Sequence, residues 1–411
     1  MFNRDEKKIL LFTVAGHALD HLSELSFPAV ALLVSQEFFA GKANYERIGL
    51  AATVMAFCFG VANLPSGRLV DRIGSRRVML MYLLGTGAAL ILTGLAPTFP
   101  LLLVALGLLG LTAGLYHPSG TTLLSLGVRE QGRALGIHGV GGNFGLALSP
   151  FLTAALASAL GWRHAYYALS VPFFLLALIV WLSTRAQVPF GARVNLGARV
   201  TPPAQAHSSA PAPQNKTGYL LWPLVFLFGM AVMNGLCYRG FLTFLPTYFA
   251  KNIHSSLGIR EVLLAGTLST AVLLLGMIGQ YLGGRFADRF SPALLYALIF
   301  TLGAPILFFL GRLQNLPLLL CAAAFAFLYF ANQPVGNVLL IRLTTPSIRG
   351  RLFGLFFFIN FGAGSLMGWI AGVIGQRLSL SAIFGVLALC LLAAGAIGLG
   401  LVLSVRNQAQ P

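Results

Sequence analysis

Long apolar runs, separated by short charged segments, set the pattern of the chain, and each is about the 20 residues a helix needs to cross a bilayer. Twelve spanning helices are predicted. In the first half they lie at roughly 9–36, 47–66, 76–95, 100–124, 134–158 and 164–184, and in the second at roughly 219–249, 261–283, 292–311, 316–341, 352–373 and 380–404. The first run outlasts a signal-peptide core and lacks a small-residue cleavage pattern, so it is expected to be retained as a helix. Residues 185–217 break the pattern: Pro202, Pro203, Pro211 and Pro213 stand among Ala, Ser and Gln with no acidic residue. That composition predicts a disordered cytoplasmic linker, either a plain connection or an interaction segment. The expected organisation is an N-terminal six-helix bundle at 1–184, the linker at 185–217 and a C-terminal six-helix bundle at 218–411.

The two sets of helices repeat one another. GRLVDRIGSRR from Gly67 to Arg77 returns as GGRFADRF from Gly283 to Phe290, placing Asp71 and Asp288 217 residues apart. Asn143-Phe144-Gly145 recurs as Asn360-Phe361-Gly362 at the same offset, Gly132-Arg133 as Gly350-Arg351 at 218, and His117-Pro118 as Gln333-Pro334 at 216. Matches at nearly one offset mark two homologous bundles in tandem. The predicted fold is therefore an all-α membrane protein, with twelve transmembrane helices in two pseudo-symmetric six-helix bundles.

Composition agrees and removes other classes. The chain is 57% apolar and 9% charged, against roughly 25% charged for soluble domains. A net charge of +17 raises the question of nucleic acid, but 19 of the 27 Lys and Arg residues fall on the side taken as cytoplasmic and 7 on the other, with Arg239 inside a span. That bias is an orientation signal, with both termini cytoplasmic in a cell (inner) membrane, and it leaves nucleic acid without support. Cys58, Cys237, Cys321 and Cys390 sit in apolar spans without metal or disulfide spacing. No GxSxG or HExxH motif points to an enzyme.

The stretch from Gly67 to Arg77 resembles the loop signature between helices 2 and 3 of the major facilitator superfamily. On that resemblance Gly67, Asp71, Arg72, Gly74 and Arg76, with Asp288 and Arg289 in the repeat, form a cytoplasmic latch that holds the bundles together when the transporter faces outward. Gly67 and Gly74 are expected to permit a tight turn. Positive-inside charge alone explains the arginines but not Asp71 or the repeat. LYHPSGTTLLSL from Leu115, GRALGIHGVGGNFGLALSP from Gly132 and AGHALDHLSELSFPAV in the first helix are similar to the fosmidomycin-resistance group of exporters. Ser119 stands where that group often carries an acidic residue, and Gly107 where many drug exporters carry arginine, so the resemblance leaves the substrate open. Gly136, Gly139, Gly141, Gly142 and Gly145 before Pro150 are similar to an antiporter motif; they are also the small residues that let helices pack closely.

Polar residues inside spans are the site candidates, because ionisable groups in hydrocarbon cost a few kcal/mol and mark proton or solute paths. His17, Asp20, His21 and Glu24 share one helix face through 3- and 4-residue spacing. Asp20 is expected roughly 16 Å into the first helix, near the midplane. Three readings stay open: proton coupling by Asp20 and Glu24 with the histidines shaping the network, a structural polar network, or a transition-metal site of His17, Asp20 and His21, for which no further His/Cys cluster is evident in sequence. Arg239, with Asn234 and Tyr238 beside it, either pairs with a carboxylate of the first helix or receives an anionic solute. Tyr116, His117, His138, Asn143 and Gln333 complete the substrate-binding candidates, with Asn332, Asn337 and Asn360 as further cavity positions; the histidines serve either the cavity or packing. The expected function is proton-coupled export of a drug or small organic anion by alternating access. The alternatives are a proton-linked importer of a small anion and a transition-metal ion transporter. The expected partners are a small-molecule substrate, protons and the lipid bilayer, with no cofactor and a monomeric state.

Overall fold

The structure is a computed structural model that describes residues 2–183, 221–254 and 260–408. The expected linker at 185–217 lies outside the described residues. The helices of the first half are α1 (Arg4–Glu24), α2 (Ser26–Phe38), α3 (Tyr45–Ile73), α4 (Ser75–Leu95), α5 (Phe99–Ala113), α6 (Tyr116–Gly127), α7 (Gln131–Leu160) and α8 (Trp162–Ser183). Those of the second are α9 (Leu221–Asn252), α10 (Glu261–Arg289), α11 (Pro292–Leu310), α12 (Asn315–Tyr329), α13 (Asn332–Leu343), α14 (Pro346–Phe357), α15 (Leu366–Arg377) and α16 (Leu380–Gln408). A π-helical turn at Phe358–Gly362 and a 3-10 turn at Ala363–Ser365 join α14 to α15.

Among the described residues, 11 helical stretches are long and apolar enough to cross a membrane. With α1 and α2 as the remaining span, the fold is the twelve-helix, all-α membrane architecture expected. Packing divides the chain into two compact units. One takes the described residues of Met1–Gly41 and Val54–Ser208, the other those of Lys42–Thr53 and Ser209–Pro411. The start of α3 is thus grouped with the second unit.

Proline accounts for the interrupted spans. A proline lacks the N–H that would meet the carbonyl four residues back, and its ring crowds that carbonyl. Pro28 acts in this way on Glu24, and the run predicted as one helix at 9–36 is divided at Leu25 (φ −99°, ψ 6°). Pro118 acts on Gly114, between α5 and α6, and Pro334 on Phe330, between α12 and α13. Hydropathy alone reads through all three breaks. Pro246, 218 residues after Pro28, leaves α9 continuous.

The glycine-flanked turn is tighter than expected. Helix α3 runs on through Asp71 and Arg72 to Ile73, and only Gly74 separates it from α4. Gly74 takes φ +87°, a region that favours glycine. Gly67, expected in the turn, lies inside α3 instead. Asp71 and Arg72 are exposed in the last helical turn, as are Asp288 and Arg289 at the end of α10. Arg72 and Arg289 suit the negative end of the helix dipole. Arg76 donates to the Trp181 carbonyl at 3.5 Å.

At its other end α1 is held by Glu6. The carboxylate accepts from the Asn3 backbone N–H at 2.8 Å and from the Arg129 backbone N–H and Nε, both at 3.1 Å. In the same order of importance, these donors hold its pKa down from the ordinary 4.5 to about 2.

Candidate functional site

The site is built where α7 backs against α1. Close approach is possible because α7 presents bare backbone: a Cβ on Gly145 would fall 2.0 Å from the Ala18 carbonyl oxygen, and one on Gly141 2.6 Å from Val14. A Cβ on Gly142 would fall 2.4 Å from the His17 imidazole, so the missing side chain is the space that ring fills. Gly136 and Gly139 face nothing within 4 Å and take no part in this packing. His17 stacks on His138 of α7, with centroids 4.1 Å apart and planes 16° apart.

Helix α6 brings in the remaining members. Its first residues, Tyr116 and His117, follow the break imposed by Pro118. His117 lies edge-on to His17 at 5.2 Å and to His21 at 5.5 Å, while His17 and His21 are 4.9 Å apart between centroids. The structure thus gathers His17, Asp20, His21, Glu24, Tyr116, His117 and His138 into one cluster in the core of the first unit. Its members are buried except His21 and His117, which are half-buried.

Hydrogen bonds assign the ring protons. The His138 carbonyl can only accept, so His17 Nδ1, at 2.8 Å, carries the proton and Nε2 keeps its lone pair. That Nε2 is buried with no hydrogen-bond partner among the described residues. His21 Nδ1 lies 2.8 Å from Glu24 Oε2 and donates to it. Tyr116 OH donates to the Thr13 carbonyl, which leaves its oxygen to accept from His138 Nε2 at 2.8 Å. His117 Nε2 stands 3.4 Å from Asp20 Oδ2, not aligned as a hydrogen bond, and both Asp20 oxygens are buried without hydrogen bonds among the described residues.

Two supports were not singled out in the sequence. Tyr82 of α4 donates to the Gly16 carbonyl at 2.8 Å, and Ser149 of α7 donates to the Leu22 carbonyl at 2.6 Å. A hydroxyl inside an apolar span needs an internal acceptor, and that was the available signal for Tyr82.

Other candidates lie elsewhere. In the second unit Asn234 Nδ2 donates to Asn360 Oδ1 at 2.8 Å, and Tyr329 OH donates to Asn234 Oδ1 at 2.7 Å. Asn332 Nδ2 donates to the Tyr329 carbonyl at 2.6 Å. Arg239 of α9 is buried, its guanidinium carbon 5.9 Å from the Tyr238 ring centroid. Gln333 is exposed and pairs with Gln280 at 2.5 Å, apart from the asparagines. Asn143 is half-buried on α7, outside the histidine network. The metal-ligating trio is also composed differently from the expected His17, Asp20 and His21. His17, His21 and His117 each offer a ligand atom, all within 4.8 Å of one another.

A multi-pass helical bundle with ionisable groups sealed in its core is a membrane transporter. The chain belongs to the Major Facilitator Superfamily, whose family model matches residues 19–330 and 227–411. It is similar to the fosmidomycin resistance protein of Escherichia coli (strain K12), 24% identical over 91% of this chain and 87% of that protein. It is also similar to the probable sulfoacetate transporter of Cupriavidus necator, 26% identical over 59% of this chain. There the match spans 56% of the relative's length, about half. In fold it matches a bacterial homolog of the human lysosomal transporter Spinster, with TM-score 0.79, 15% identity and coverage of 99% of this chain and 98% of that one.

Proposed function

We propose that the chain is a secondary active transporter that exports a small solute, a drug or small organic anion, by alternating access in exchange for protons. On this reading it acts as a monomer of two six-helix halves in the cell (inner) membrane, with both termini cytoplasmic. The carrying observation is the pairing of buried carboxylates with imidazoles inside the first unit: Glu24 at 2.8 Å from His21 and Asp20 at 3.4 Å from His117. Ionisable groups kept in hydrocarbon against their cost mark a transport path. Export is supported by likeness to a resistance protein, and an anionic solute by likeness to a probable sulfoacetate transporter. Arg239, always charged, is then the group that receives the anion.

The test is flux in proteoliposomes with and without a pH gradient, using labelled fosmidomycin and sulfoacetate and an internal pH dye. Wild type should move solute and protons together. Asp20→Asn and Glu24→Gln should each lower gradient-driven flux at least ~tenfold, since an intramembrane carboxylate is on the path. Gradient-driven flux undiminished in both variants overturns the coupling assignment.

A further inference from the structure

The histidine cluster has the construction of a metal site. Three imidazoles from two helices converge, and their ligand atoms already lie within 4.8 Å of one another. Around a tetrahedral ion with metal–nitrogen bonds of about 2.1 Å, such atoms stand about 3.4 Å apart, so small side-chain rotations close the set.

The partners of the other ring nitrogens point the same way. In metal sites a ligating histidine usually gives its second N–H to a carbonyl or carboxylate, which fixes the tautomer and turns the free lone pair toward the ion. His17 gives Nδ1–H to the His138 carbonyl, and His21 gives Nδ1–H to Glu24, both at 2.8 Å. Each is left with Nε2 as donor, and His17 Nε2 is buried with no hydrogen-bond partner among the described residues. A purely structural network would spend that lone pair on a donor. Glu24 and Asp20 place carboxylates beside the trio, and Asp20 Oδ2, 3.4 Å from His117 Nε2, also accepts no hydrogen bond among the described residues. Two carboxylates offset the charge of a buried dication.

We propose that His17, His21 and His117 bind a divalent transition-metal ion of the imidazole-preferring kind, such as Zn2+, Ni2+ or Co2+. Three protein ligands leave a fourth coordination position open for an oxygen of the solute. Glu24 and the His138 carbonyl are positioning groups, acting through the histidines they hold.

The test is Co2+ titration of purified, tag-free, full-length protein in detergent, read by visible absorption and equilibrium dialysis. Wild type should bind one Co2+ saturably, with Zn2+ displacing it. His17→Gln, His21→Gln and His117→Gln should each weaken binding more than tenfold, while His164→Gln, outside the cluster, should bind as wild type does. Gel filtration and thermal melting establish that the variants are folded. Absence of saturable binding by wild type overturns the site whatever the variants do, and so does undiminished binding by the folded triple variant. Co2+ binding needs no pH gradient: a protein that binds Co2+ but shows no gradient-driven flux sinks the coupling assignment and leaves the metal site standing. The converse result does the reverse.

Discussion

Pro28 stands four residues beyond Glu24, and helix α1 ends at that glutamate because the proline brings no N–H to its carbonyl. The break sets the last acidic residue of the cluster at a helix terminus, its side chain turned back to His21.

Replacing Pro28 by Ala should let α1 and α2 merge. Proline is about 3 kcal/mol worse than alanine in a helix interior, so the melting temperature of the variant is expected to rise. Gradient-driven flux is expected to fall as the joint stiffens. Proteoliposome flux equal to wild type would show that the break has no part in transport.

Gly142→Ala puts a methyl where the His17 ring lies, at 2.4 Å. Overpacking of this kind costs about 1–3 kcal/mol. Thermal melting should show the loss, and Co2+ absorption should weaken although every histidine remains. Gly139→Ala, with nothing within 4 Å, serves as the control and should match wild type in both readouts.

Glu6 supplies a pH signature away from the membrane core. Its pKa is lower folded, about 2, than the ordinary 4.5, so its stabilisation is complete above about pH 4.5 and is lost as pH falls toward 2. Wild type should therefore melt above Glu6→Gln at pH 7, and the gap should narrow as the pH falls below 4.5. A gap that persists unchanged at pH 3 would contradict the assignment.

Asp71 is exposed, and no ion pair engages it among the described residues. Asp71→Asn should leave stability within ±0.5 kcal/mol, as surface changes usually do. Membrane insertion should also be unchanged while transport falls, as a latch that biases the open side requires. Full transport by the correctly inserted variant would remove the latch role.

The shared face of His17, Asp20, His21 and Glu24 was legible in sequence, because 3- and 4-residue spacing is a local property of a helix. The meeting with His117 and His138 was not. Both residues were visible as polar positions in apolar runs, but which one faces α1 depends on the glycine contacts of α7 and on the turn imposed by Pro118, and both are set by tertiary packing. Gly67 was misplaced for a related reason. Glycine marks where a turn is permitted, whereas the actual turn falls at Gly74, where α3 runs out.

The unbroken course of α9 past Pro246 gives the duplication a mechanical meaning. Two copies of one ancestral span carry a proline at corresponding places, yet one became a jointed arm bearing the acids and histidines while the other stayed a strut bearing a lone arginine. Divergence after duplication thus acted on stiffness as well as chemistry, and compliance was kept in the copy that holds the cluster.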